Sequence, residues 1–155
     1  MATSAVPEVI DALVTLARNT LPGTLVFDGI GMTDDPGNFL MVGVEDPDLE
    51  GAAFSAEVRQ EWAYANHTTR NEEGDITCVA LAWVGESGSE GQKAARDAAY
   101  AITASLEDAL RVEPSLGIPT LLWTGFGTSS QLSQAQDVGG SSAMVIFRIH
   151  FRAQL

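Results

Sequence analysis

Apolar residues recur at helical spacing in two stretches of the chain. In the first, a helix is expected from about Pro7 to Asn19, since proline suits the first helical turn. The residues that share its apolar face are Val6, Ile10, Leu13, Val14, Ala17 and Leu21. This face predicts that the helix packs against a sheet or a second helix.

The second helical stretch follows the loop 85–91. Ser89 and Gln92 have the spacing of a capping box, which predicts the helix start there. Pro114 disfavours helical backbone at the preceding residue, so the helix must end near Val112. Its apolar face comprises Ala95, Ala98, Ala99, Ile102, Leu106, Ala109 and Leu110. The many alanines on this face favour close packing on a sheet.

Six other segments have the composition of strands and are separated by turn residues. They are 24–29, 38–44, 52–65, 76–84, 120–134 and the run after residue 142. We expect the polar segment 66–75 to be an exposed, mobile hairpin tip, and 137–142 to be a flexible connection. The order helix, four strands, helix, two strands indicates one α+β domain over residues 1–155. Its mostly antiparallel or mixed sheet of about six strands is flanked by the two helices.

The last strand has a strict period of two. One face carries Val145, Phe147, Ile149, Phe151, Ala153 and Leu155, and it is expected to be buried. The other face carries Arg148, His150 and Arg152, although the chain has only eight Lys and Arg and two His in total. These side chains are expected either to pair with acids on a neighbouring strand of the same chain or to contact acids of another protomer or partner.

Net charge narrows the possible functions. The chain carries −13 at pH 7, from 21 Asp and Glu against 8 Lys and Arg. Proteins that grip DNA need a basic surface that neutralises phosphates, so this composition favours a surface past which DNA slides without adhering. No apolar run has the ~20 residues of a membrane span. The first residues lack the basic region of a signal peptide, which makes the cytoplasm the expected site of synthesis and folding.

The sequence offers no catalytic constellation and no cofactor site. The loop at 85–93 lacks the Ser or Thr that ends a phosphate-binding loop, and only two histidines are available as bases. The acidic loop around Asp46 lacks the spacing of a calcium-binding EF-hand. Cys78 is expected to be a small buried residue. For Trp62, Trp83 and Trp123 the default role is core packing, and the alternative is an interface anchor.

Four stretches carry a family resemblance: "MVGVEDPD", "RNEEGDITCVALAWVGES", "KAARDAAYAITASLEDALR" and "LLWTGFGTSSQLSQAQDVGGSSAMVIFRIHFRA". In this order and over most of its length, the chain resembles the tail terminator proteins of long-tailed, siphovirus-type phages that infect actinobacteria. None of the four motifs is chemically diagnostic, so the resemblance lies in the overall pattern.

The resemblance implies a structural virion protein, assembled in the host cytoplasm, that has no enzymatic activity and no cofactor. Such proteins form a ring, here expected to be a homohexamer, on top of the tail tube protein. The ring ends tube polymerisation and presents a surface to the head-tail connector or stopper protein. DNA passes through the ring without specific binding.

Within this implied ring, two sets of residues are candidates for function. The candidate subunit or partner interface comprises Arg148, His150, Arg152, Arg70 and Asn71. The candidate acids facing the central opening are Glu45, Asp46, Asp48, Glu50, Glu72, Glu73 and Asp75. The segment 66–75 is expected either to become ordered on docking or to be an ordinary flexible hairpin.

Two other classes of function remain open from the sequence. One is another phage neck or tail component, such as a head-side stopper, an adaptor or a tail tube subunit. The other is a small ligand-binding protein of the host, which would need a convergent polar site. Oligomeric behaviour distinguishes them, because a terminator stops at one ring and a tube subunit polymerises further.

Overall fold

The computed structural model of the protein describes residues 2–31, 33–34, 37–45, 54–65 and 68–155. These form two helices and a six-stranded mixed sheet, which confirms the α+β class and the predicted element order. The elements are α1 (Val6–Thr20), β1 (Leu25–Asp28), β2 (Phe39–Val42), β3 (Ala56–Trp62), β4 (Arg70–Val84), α2 (Gly88–Val112), β5 (Leu121–Asp137) and β6 (Gly140–Gln154).

Strand β4 is the centre of the sheet, whose order is β1-β2-β4-β6-β5. Along one side β4 pairs with β6 from residue 71 to residue 84. Its other side is shared by two strands, with β3 alongside residues 70–76 and β2 alongside residues 78–81. All pairings are antiparallel except that of β1 with β2. Consequently β1, β3 and β5 each have one side that no described strand covers.

Both helices pack on the same face of the sheet, where the main core lies. The predicted inward residues of β6 are all buried there from Val145 to Ala153, and Leu155 packs against them. On β4 the alternate residues Ile76, Cys78, Ala80 and Ala82 complete the same layer. The period of two at the end of the sequence therefore predicted the buried face correctly.

The helices begin and end close to the predicted positions, with differences at their N-terminal ends. In α1 the buried residues include Val9, whereas Val6 and Ile10 are only partly buried. The predicted capping box of α2 is wrong, because Ser87 rather than Ser89 occupies the N-cap position and its side chain makes no capping hydrogen bond. Instead, the N–H of Gly88 donates to Oε1 of Gln136 on β5, at 3.0 Å.

Two segments expected to be mobile or flexible are ordered strands. Residues 70–75 belong to β4, because they pair with β3 on one side and with β6 on the other. The prediction of a mobile tip is therefore wrong for them, and residues 66 and 67 lie outside the described residues. Residues 137–142 form a two-residue hairpin turn and the start of β6, since Asp137 pairs with Gly140. Oδ1 of Asp137 accepts the N–H groups of Gly139 and Gly140, which fixes this turn.

The carboxylate of Glu72 joins the β3–β4 hairpin to the start of α1. Its side chain is only 1% exposed and accepts the N–H of Ala5 at 2.8 Å and the hydroxyl of Ser4 at 3.0 Å. The side-chain amide of Gln60 donates to its other oxygen. The first N–H groups of a helix have no acceptor within the helix, and the helix dipole is positive at that end. A buried carboxylate there accepts hydrogen bonds from such groups and places a negative charge at the positive end.

We predict that Glu72→Ala lowers the free energy of unfolding by about 2–4 kcal/mol, because it leaves buried donors without an acceptor. Urea denaturation measures this change. The neighbouring Glu73→Ala is the control and should cost less than about 1 kcal/mol, since Glu73 is exposed. Equal effects of the two substitutions would contradict the role assigned to Glu72.

Cys78 is fully buried in the core, as predicted, and burial raises the pKa of its thiol to about 12. We therefore expect an aromatic disulfide reagent at about pH 8 to leave the folded protein unmodified, because the reactive thiolate is scarce and inaccessible. The reaction should become fast and stoichiometric in denaturing urea. Rapid reaction of the native protein would show that this part of the core opens readily.

Candidate assembly surfaces

The face of the sheet opposite the helices carries the three basic residues singled out from the sequence. We call this the open face, because neither helix covers it. One part of it is apolar, where Val44, Val79 and Ile146 are buried together beside Met41 and Met144. Another part is a lattice of charged and polar side chains from β3, β4, β6 and β5. One row across these strands runs Arg59, Glu73, Arg152, Trp123, and the next runs Glu57, Asp75, His150, Gly125.

His150 lies between an acid and an aromatic ring. Its Nδ1 is 3.0 Å from Oδ1 of Asp75, the residue directly opposite on β4. The ring of Trp123 lies on its other side, with 6.0 Å between ring centroids. Because Gly125 on β5 presents no side chain beside His150, the indole can lean over the imidazole. The imidazole is thus held in one orientation by neighbours from two strands.

The two arginines of β6 differ in their partners. Nε of Arg152 lies 3.4 Å from Oε2 of Glu73, and both side chains are at least half exposed. Arg148 lies opposite Thr77 and forms no ion pair with any described residue. His150 and Arg152 thus pair with acids on a neighbouring strand of the same chain, which is the first of the two arrangements expected from the sequence. Arg148 is half-buried on this face.

Arg70 and Asn71, the other two interface candidates, lie on opposite faces because they are adjacent in a strand. Arg70 lies on the helix side, where it donates to Oε1 of Gln60 and to the carbonyl of Ala2. Its guanidinium also lies 5.4 Å from the centre of the Trp62 ring. Asn71 is on the open face and accepts a hydrogen bond from Gln154. The structure therefore brings Asn71, but not Arg70, to the face with Arg148.

The acids proposed to face a central opening do not lie on one surface of the protein. Glu72 is buried and unavailable, while Glu73 and Asp75 lie on the open face within the ladder with β6. Glu45 is exposed. Asp46, Asp48 and Glu50 lie outside the described residues.

All three tryptophans are at least one-third exposed, so the expectation that they pack in the core is wrong. Trp62 is 53% exposed, Trp123 is 42% exposed and Trp83 is 36% exposed. Trp62 belongs to a larger set on and beside β3, which also includes the exposed side chains of Phe54, Val58 and Tyr64. The segment 52–65 contains these residues, but only the pairing of β3 with β4 shows that no described strand lies along the other side of β3.

The opposite edge of this part of the sheet is β5. This strand has 17 residues and no charged side chain from Leu121 to Gln136. Leu122, Trp123 and Leu132 are exposed on it. Natural sheets usually protect a bare edge with Lys, Pro or a bulge, and here two register shifts, between Leu121 and Trp123 and between Phe126 and Ser130, serve that purpose. The β5 edge is therefore long, neutral and available for pairing.

Among the described residues, no group of three or more His, Cys, Asp or Glu side chains is arranged to hold a metal ion. Neither α1 nor α2 is long and apolar enough to cross a membrane.

No protein-family model and no curated protein matches the chain. Among solved structures, it is similar to a chain of the virion of a native gene transfer agent particle, with a TM-score of 0.60 and 16% sequence identity. The similarity covers 98% of this chain and 100% of that chain. At this level of identity, the likeness shows that the two chains share a fold from end to end.

For the ladder on the open face, we predict a coupling energy between Arg152 and Glu73 below about 1 kcal/mol, because both side chains are largely hydrated. A double-mutant cycle with Arg152→Ala and Glu73→Ala measures it by urea denaturation. A coupling energy above 2 kcal/mol would mean that this pair is a main source of protomer stability.

Proposed function

We propose that the protein is a structural component of a phage-like virion and, within that class, a tail terminator. In this role it forms a homohexameric ring at the end of the tail tube, ends tube polymerisation and joins the tail to the head connector. It performs no reaction, and DNA passes through the ring. The observation that carries this proposal is the fold shared over both full lengths with a chain of a gene transfer agent virion.

The two open edges support a ring. A closed ring needs a heterologous contact, in which one surface of a protomer meets a different surface of its neighbour. The β3 edge presents Val58 and Trp62, while the β5 edge is neutral and presents Leu122 and Leu132. They lie on opposite sides of the four-stranded part of the sheet, so a contact between them leaves one edge of each kind free and continues from protomer to protomer, into a ring where the rotation closes.

The open face supplies a specific point of contact beside these edges. Arg148 is half-buried and has no ion pair with a described residue, so an acid from a neighbouring protomer or from the tube protein would find a partly desolvated partner. The acidic net charge suits DNA passage, because a surface that repels phosphate does not hold DNA electrostatically. The exposed Glu45 is a candidate for the lining of the opening.

Native mass spectrometry of the purified protein, alone and with the tail tube protein of the same particle, tests the proposal. We expect a single closed oligomer, either alone or at tube ends, and tubes that stop growing once it binds. Indefinite polymers of the protein itself would identify a tube subunit instead. A monomer that does not bind the tube protein would contradict the terminator role. It would favour a head-side stopper, an adaptor or a ligand-binding protein.

Substitution of the β3 edge tests the mode of assembly on the same instrument. Trp62→Ala should abolish the closed oligomer and leave a folded monomer, since a large aromatic anchor at an interface contributes about 2 kcal/mol or more. Tyr100→Ala is the matched control, because Tyr100 is an aromatic residue of similar exposure that belongs to α2 and not to the β3 edge. Oligomers that survive Trp62→Ala, or that are lost equally with Tyr100→Ala, would contradict the edge contact.

A further inference from the structure

A groove on the helical side of the protein has no role in the proposed ring. It is an open groove of about 520 Å³ between α1 and residues 113–119, which connect α2 to β5. Its apolar floor includes Leu16, Leu116 and Ile118, which are half-buried and pack against the core from one side. Their other side faces the groove. A volume of several hundred Å³ lies within the range of sites that bind small ligands or peptide side chains.

The wall formed by residues 113–119 is fixed before anything binds. Leu116 has a backbone φ of 51°, in the left-handed region that a bulky side chain rarely adopts, and Gly117 follows with 70°. Two successive backbone hydrogen bonds hold this turn, from the Leu116 N–H to the Glu113 carbonyl and from the Ile118 N–H to the Ser115 carbonyl. The turn therefore presents Leu116 to the groove without a further ordering cost.

The rim of the groove is acidic and not neutralised. Glu8, Asp11 and Glu113 line it, and all three are exposed. None of them forms an ion pair with a described residue, and no Lys or Arg lines the groove. By contrast, acids elsewhere on α2, such as Asp97 and Glu107, pair with a basic residue four positions away. The groove thus combines an apolar floor with an uncompensated negative rim.

We propose that this groove binds a short amphipathic segment of another virion protein, in which Lys or Arg side chains flank aliphatic ones. The aliphatic side chains contact Leu16, Leu116 and Ile118, and the basic side chains lie beside the three acids, as in helix-in-groove recognition. The inference rests on the proposed function only in assigning the bound segment to another virion protein. The groove lies on α1 and the 113–119 connection, so its occupation leaves the β3 and β5 edges free.

The test uses a synthetic amphipathic peptide of Leu and Lys as the probe, and fluorescence anisotropy as the readout with the full chain. Neutralising the rim with Glu8→Gln, Asp11→Asn and Glu113→Gln should weaken binding about tenfold, as three lost exposed ion pairs would. The matched control neutralises three exposed acids outside the groove, Glu86→Gln, Glu90→Gln and Asp108→Asn. It should change binding less than about twofold, because it removes the same number of negative charges without touching the site.

A second variant tests the apolar floor. Leu116→Gly removes the aliphatic contact and suits the left-handed backbone, so the turn should stay folded while binding weakens about tenfold at high salt. A peptide with the same composition and a scrambled order should bind the wild-type protein less tightly than the amphipathic one. Failure of the wild type to prefer the amphipathic peptide, or equal weakening by both charge triples, would overturn the proposal. Native mass spectra of the same variants report ring formation separately, so failure of the groove and failure of the ring are distinguishable.

Discussion

The pairing of β4 along both of its sides is the constraint from which the rest of the structure follows. Its 15 residues are held by β6 on one side and by β3 and β2 in succession on the other. Because side chains alternate along a strand, this register fixes which residues enter the core beneath the helices and which reach the open face. It places Asp75 opposite His150 and Glu73 opposite Arg152. It also brings Glu72 to the start of α1, where a buried carboxylate holds sheet and helix together.

The same pairing leaves the chain with two unlike edges. On one edge, β3 exposes apolar and aromatic side chains. On the other, β5 offers a long neutral strand, with few of the charges by which sheets normally avoid pairing. A head-to-tail assembly, such as the proposed ring, would use both edges. The chain shares its fold with a chain of a gene transfer agent virion.

The sequence predicted those features that depend on local period. Alternation identified the buried face of β6 and placed Arg148, His150 and Arg152 together, and helical spacing located both helices. It failed at 70–75, where a polar composition favours a loop but two neighbouring strands impose extended backbone. It also grouped Arg70 with Asn71 and Glu72 with Glu73, although adjacent residues in a strand lie on opposite faces. The partners of the basic residues required the register between distant strands, which no local pattern contains.

Hydrogen exchange of backbone amides, compared between the isolated protomer and the assembled particle, tests the central claim most directly. If the two edges make the contacts between protomers, amides of both β3 and β5 should become protected on assembly, because an edge strand acquires hydrogen-bond partners there. Amides of β4, already paired on both sides, should change little. Unchanged exchange at β3 and β5 in a particle that contains the protein would contradict assembly through the sheet edges.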